Sequence, residues 1–192
     1  MLNTSLLMDS LVEKGWYYQQ NVLSPVTVSS LRDECNNRVL KKASIGTQKV
    51  VNSEIRSDSI SWLLDDETHL SILDYQDLLE ELRMSLNKEL YLGLQDKEVH
   101  FAKYEKGSFY KKHKDNFKAS NKRTITFITY LNDNWKQEDG GQLRIYDESG
   151  YTDIKPIGGS SICFISEKVE HEVLISNNNR YSLTGWFLKN SC

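Results

Sequence analysis

The chain has 192 residues, with 24 Lys and Arg against 27 Asp and Glu, a formal charge of -3 and a pI near 5.8. That length suits a single domain over residues 1–192 with its own core, and the acidic balance argues against a general nucleic-acid binder, which would be basic. Cys35, Cys163 and Cys192 are odd in number and lack C-x-x-C spacing, so no disulfide framework is expected.

The first residues, Met1 to Asp9, carry no basic stretch before the first acid, so no secretory signal is expected and the expected location is the cytoplasm. No apolar run approaches the roughly 20 residues of a membrane span. Asn3 to Lys14 places Leu6, Leu7, Leu11 and Val12 at helical spacing and stops at Gly15. Ser24-Pro25 is an N-cap followed by proline at the first helical position, opening a helix to about Leu40 with Val28, Leu31, Cys35 and Val39 on one face. Lys41 to Glu54 is polar and without period, which predicts a mobile loop. Thr68 to Leu92 carries Leu78, Leu82, Leu86 and Leu90 at i, i+4 and predicts the longest helix, packed on a sheet and ended by Gly93.

From Glu98 the texture changes to short runs rich in Val, Ile, Thr, Tyr and Phe, broken by Gly and Asn turns. The expected strands are Glu98–Tyr104, Phe109–Lys114, Arg123–Leu131, Gln142–Tyr146, Tyr151–Lys155, Ser161–Ile165, His171–Ile175 and Arg180–Leu188. Helices first and strands after predict an α+β chain: helical support over residues 1–93 and a jelly-roll core over residues 94–189.

Chemistry concentrates in the strands. His113-Lys114-Asp115 is followed 58 residues on by His171 and nine further by Arg180. Two imidazoles and a carboxylate form the facial triad of non-haem iron(II) oxygenases, and a buried guanidinium suits a carboxylate co-substrate. His113 and Asp115, two apart on a strand, share a face. Glu172, proposed as the general base of a zinc hydrolase, adjoins His171 and points to the opposite face. His69 and His100 read as structural. Lys103, Lys106, Lys111, Lys112, Lys114, Lys118, Lys122 and Arg123 read as a solvated rim, with an acidic partner as the functional alternative.

His113-Lys114-Asp115, Tyr130-Leu131-Asn132, Gly140-Gly141-Gln142-Leu143-Arg144, His171-Glu172-Val173 and Arg180-Tyr181-Ser182-Leu183-Thr184-Gly185-Trp186 together resemble the 2-oxoglutarate- and iron(II)-dependent prolyl hydroxylases, in particular bacterial relatives of the hypoxia-inducible-factor prolyl hydroxylases. The likeness runs from about Gly15 to Leu188 through Arg56-Ser57-Asp58-Ser59-Ile60-Ser61-Trp62. It implies a double-stranded β-helix and a triad of His113, Asp115 and His171 holding iron(II). It further implies 2-oxoglutarate on Arg180, Tyr130, Thr184 and Tyr104, with dioxygen as the second co-substrate and ascorbate to keep iron reduced. The resemblance also implies an Asp58–Arg123 pair at the base of the mobile loop, where with Arg56 and Trp186 it meets a substrate proline. Trp186 has core packing as its second reading. The intact Asp115 favours hydroxylation over halogenation. The implied partner is a protein with a target proline, elongation factor Tu in bacterial members; hydroxylation of a free amino acid and a non-catalytic, oxygen-sensing module are the other readings. The frame Arg180-x-Ser182-x-Thr184-x-Trp186 lacks the asparagine and final arginine of nucleic-acid demethylases.

Overall fold

The computed structural model describes residues 2–44, 51–115, 122–148 and 150–189. Three helices come first: α1 (Thr4–Glu13), α2 (Pro25–Asn37) and α3 (Leu70–Leu90). Asn3 caps α1 by accepting from the Leu6 amide at 3.2 Å, and Ser24 Oγ accepts from the Thr27 amide at 3.1 Å to open α2. The α1 face that packs inward is Leu7, Met8 and Leu11, with Leu6 and Val12 exposed. α2 ends at Asn37, so Val39 lies beyond it at 83 % exposure rather than on the core face expected for it. α3 buries Ile72, Tyr75, Leu79, Leu82 and Leu86. It stops because Tyr91 takes the left-handed conformation (φ 53°), two residues before the expected Gly93.

Eleven strands form two antiparallel sheets among the described residues. β1 (Trp16–Gln19), β2 (Lys41–Lys42), β3 (Ser59–Trp62), β4 (Leu94–Tyr104), β6 (Arg123–Tyr130), β9 (Ser161–Ile165) and β11 (Arg180–Lys189) make the larger, in the order β1-β9-β6-β11-β4-β3-β2. β5 (Tyr110–His113), β7 (Leu143–Asp147), β8 (Gly150–Ile154) and β10 (Glu170–Val173) make the smaller, in the order β5-β10-β7-β8. This is the expected α+β arrangement, with β1, β2 and β3 added to the larger sheet. The predicted loop at Lys41–Glu54 begins as β2, paired with β3 through Lys41↔Ile60; residues 45–50 of it lie outside the described residues.

Strand alternation gives the larger sheet two faces with different tasks. Phe101, Phe127, Leu183 and Phe187 face the helices and form one core with Leu11, Leu31, Tyr75 and Leu82. Each such fully buried side chain is worth about 1.5–3 kcal/mol. Tyr75 also donates to Thr129 Oγ1 at 3.2 Å, fixing α3 on β6. The opposite face meets the smaller sheet through Tyr104, Ile128, Tyr130, Leu143, Ile145 and Phe164. Between the sheets this second core leaves a cavity.

Candidate metal and co-substrate site

The intersheet cavity has a volume of about 510 Å³ and is lined by residues of both sheets, among them His113, Asp115, His171, Arg180 and Thr184. His113 on β5 stands directly opposite His171 on β10 in the antiparallel register, so the two rings face one another with centroids 4.3 Å apart. Asp115 follows β5 by two residues. Its Oδ1 lies 3.4 Å from His113 Nε2 and its Oδ2 lies 3.8 Å from His171 Nε2. Both separations exceed the roughly 2.7–2.9 Å of a charged hydrogen bond. All three ligand atoms lie within 4.8 Å of one another.

Each group is turned toward a common point by a partner behind it. His113 Nδ1–H donates to Lys111 O at 2.7 Å and His171 Nδ1–H to Val169 O at 3.2 Å, because a carbonyl can only accept. Both Nε2 lone pairs are therefore free for a metal. Thr126, on β6 of the other sheet, donates to Asp115 Oδ2 at 2.8 Å. Tyr110 stacks on the His113 ring at 3.6 Å and 17°, with Arg56 Cζ over Tyr110 at 4.3 Å. Burial, with His113 beside it, lowers the His171 imidazole to about 4. Burial alone would raise Asp115, but the His171 and His113 imidazoles hold its carboxyl well below the usual range. Two imidazoles with aimed lone pairs and one carboxylate are the donor set of the iron(II) triad, so these residues fit the ion.

β11 supplies the far end. Arg180, Ser182, Thr184 and Trp186 alternate onto its cavity face. Arg180 is 4 % exposed; its Nε donates to Gly141 O at 2.8 Å and one terminal nitrogen to Ser182 Oγ at 3.3 Å. Gly141 is required there. It adopts φ +69°, and a Cβ on it would meet Ser176 Oγ at 2.5 Å and Arg180 Cδ at 2.9 Å. Arg180 Cζ lies over the Tyr104 and Tyr130 rings at 4.7 and 5.1 Å. No carboxylate pairs with Arg180 among the described residues. The Tyr130 hydroxyl is fully buried and likewise has no partner; burial raises that phenol above its ordinary range. A buried guanidinium without an anion carries a large desolvation cost, and a carboxylate entering the cavity would offset it.

The expected Asp58–Arg123 pair does not form. Asp58 instead accepts from Arg56 Nε at 2.8 Å and from its terminal nitrogen at 2.6 Å, while Arg123 bonds Glu98 at 2.6 Å and covers the Trp186 ring at 3.6 Å. The reason is local. Residues 56 and 58 share a side of one extended segment, whose Arg56 bridges to Tyr110. Trp186 is 6 % exposed and lines the cavity, as does His100, which sequence reading assigned to structure alone. Sequence reading also passed over Thr126 and Tyr110, although Thr126 sits on the same alternate row of β6 as Tyr130. Glu172 faces out and accepts from Tyr146 Oη at 2.5 Å. The lysine rim is partly neutralised, since Lys112 pairs with Glu170 at 2.8 Å; Lys118 lies outside the described residues.

Residues 99–188 match the profile of the 2OG-Fe(II) oxygenase superfamily. Over 89 residues the chain is 38% identical to the hypoxia-inducible factor prolyl hydroxylase of Caenorhabditis elegans; the match covers 44% of this chain and only 12% of that one. The whole fold superimposes on a Pseudomonas putida prolyl-4-hydroxylase with a TM-score of 0.90 and 35% identity, covering 98% of this chain and 100% of the other. A prolyl hydroxylase of Trichoplax adhaerens, solved with a peptide of the hypoxia-inducible factor oxygen degradation domain, gives a TM-score of 0.87 at 26% identity, covering 97% and 89%. No helix among the described residues is long and apolar enough to cross a membrane.

Proposed function

This chain belongs to the prolyl hydroxylase family of the 2OG-Fe(II) oxygenases, and from that premise we propose that it hydroxylates a proline held within a polypeptide. The activity is that of a 2-oxoglutarate-dependent prolyl hydroxylase with iron(II) held by His113, Asp115 and His171. Bound iron(II), with 2-oxoglutarate and dioxygen, supplies the oxidising power that converts a prolyl C–H bond to C–OH as succinate and carbon dioxide are released.

The protein's own work is positioning. Thr126, Lys111 O and Val169 O keep the triad's ligand atoms converged. Arg180 takes the distal carboxylate of 2-oxoglutarate through the donors that Gly141 and Ser182 leave free, with Tyr130 donating its hydroxyl to the same group. Thr184 and Tyr104 flank the co-substrate along the β11–β4 pair. The surrounding apolar walls keep bulk water from the reacting atoms. Arg56, Arg123 and Trp186 form the substrate side of the cavity, where Asp58 behind Arg56 stiffens one rim and Arg123 braces Trp186. The single observation that carries the reading is one cavity with a three-donor metal site at one end and an anion-seeking arginine at the other.

A polypeptide substrate is favoured by the family and by the peptide bound to the Trichoplax adhaerens relative. Elongation factor Tu is the first protein to assay, by the resemblance to bacterial members. The test incubates iron(II)-loaded protein with 2-oxoglutarate, ascorbate, air and bacterial lysate, then maps prolines that gain one oxygen atom by mass spectrometry. Wild type should mark a discrete proline and His113→Ala none. Consumption of 2-oxoglutarate with no marked protein would transfer the proposal to a small-molecule substrate. Absence of both iron binding and consumption would overturn it.

A further inference from the structure

Residues 98, 100, 102 and 104 alternate onto the cavity face of β4, and Tyr104 ends that row beside Arg180. In the middle of the row stands His100. The register puts it directly between Trp62 of β3 and Thr184 of β11. Its ring lies 4.9 Å from Trp62 and is stacked on Trp186 at 5.3 Å and 26°. Arg123 Cζ lies over the Trp186 ring at 3.6 Å. His100 is 2 % exposed and lines the cavity, yet neither Nδ1 nor Nε2 has a hydrogen-bond partner. The two triad histidines differ on this point, since each commits Nδ1 to a carbonyl.

An aliphatic side chain would fill this apolar slot without burying two unpartnered polar atoms, each of which carries a desolvation penalty. Trp186 stacks on the imidazole and Trp62 meets it at a tilt of 59°, so the ring is packed in place while it lines the cavity with both nitrogens uncommitted. Burial, with Arg56 and Arg123 near, keeps the ring neutral by pushing it down to about 3. A neutral imidazole offers one N–H donor and one acceptor. The main chain at a target proline has the complementary lack: proline has no N–H, so the X–Pro unit presents carbonyl acceptors.

Resting on the polypeptide reading above, we infer that His100 is a further substrate-binding residue, donating its ring N–H to a main-chain carbonyl flanking the target proline. Trp62 and Trp186 pack against the ring and offer apolar surface to the pyrrolidine. His100 thereby helps select a prolyl peptide, whose X–Pro carbonyl accepts from the ring N–H.

The probe is a library of end-blocked peptides with a fixed central proline and randomised flanks, supplied to the iron(II)-loaded full chain with 2-oxoglutarate. Oxygen gain on proline is read for wild type, His100→Leu and His100→Gln. Leucine should raise the apparent KM for the library about tenfold, the factor for one lost hydrogen bond, while moving the KM for 2-oxoglutarate by less than about twofold. Glutamine, which keeps an N–H donor and an acceptor, should recover most of the loss. An unchanged library KM for His100→Leu overturns the inference. So does a parallel rise in both KM values with no recovery by glutamine, which would mark the ring as packing alone. A wild type that consumes 2-oxoglutarate but hydroxylates no library peptide defeats the polypeptide reading itself, an outcome visible without any variant.

Discussion

The two ends of the cavity are built on opposite principles. At the metal end every polar group is already engaged from behind, His113 and His171 by carbonyls and Asp115 by Thr126. Along the other wall, the Tyr130 hydroxyl and both nitrogens of His100 are buried and left open, and Arg180, bonded to Gly141 O and Ser182 Oγ, has no carboxylate partner among the described residues. Groups pinned from behind suit a small ion, which needs donors held at fixed angles. Groups left open suit organic molecules that bring their own hydrogen-bonding partners. On the function proposed above, the contrast would separate a resident cofactor from visiting reactants.

Asp115→Ala should break this contrast most severely: iron retention and hydroxylation both fall to background, as measured by metal content after gel filtration and by turnover. Arg180→Leu should sharpen it by striking the open end only. The KM for 2-oxoglutarate is expected to rise about a hundredfold while iron affinity measured by titration stays put; a matching loss of iron would mean the ends are not separate. Thr126→Val tests the pinned end in a milder way, with iron affinity falling about 10- to 100-fold and the 2-oxoglutarate KM hardly moving.

The smallest effect is a pH slope. His100 stays neutral in the fold down to about 3, whereas the unfolded chain takes up that proton near its ordinary 6.5. Between those values the unfolded state binds more protons, so stability falls as pH drops. Urea midpoints at pH 7 and pH 5 should fall less in His100→Leu than in wild type; equal slopes would show that the ring protonates freely in the fold.

The strands of the second half were legible because Val, Ile, Thr and aromatic runs between Gly and Asn turns fix both period and length, as in Arg123–Tyr130 and Ser161–Ile165. The edge strands were not. Trp16–Gln19 and Ser59–Trp62 are four residues each and half-buried, too short to establish alternation, and Lys41–Lys42 is two exposed lysines. Their pairing is set by the sheet they join. The triad was legible from residue type and order. The Arg56–Asp58 pair was not, although the spacing of two that aligned His113 with Asp115 applies to it equally. His100 was legible by the same rule, two and four residues ahead of Ala102 and Tyr104 on the cavity row, but a lone histidine carries no chemistry until its neighbours are known. Val39 and Leu6 show the opposite error, where helical spacing ran past the end of α2 and onto the exposed side of α1.

β11 runs between β4 and β6, paired from Arg180↔Tyr104 to Lys189↔Leu94 on one side and from Ser182↔Tyr130 to Leu188↔Arg123 on the other. Strand pairing has a reading frame of two. A slip of one residue would turn Arg180, Ser182, Thr184 and Trp186 together toward the helices and bring Tyr181, Leu183 and Phe187 into the cavity. The site is therefore acquired as a set during folding, and the apolar residues that lock the frame, Leu183 and Phe187 against Phe101 and Phe127, proofread it from the far side of the sheet. Weakening that lock should appear as simultaneous loss of co-substrate and substrate binding, the signature of a frameshift in the sheet rather than of a damaged contact.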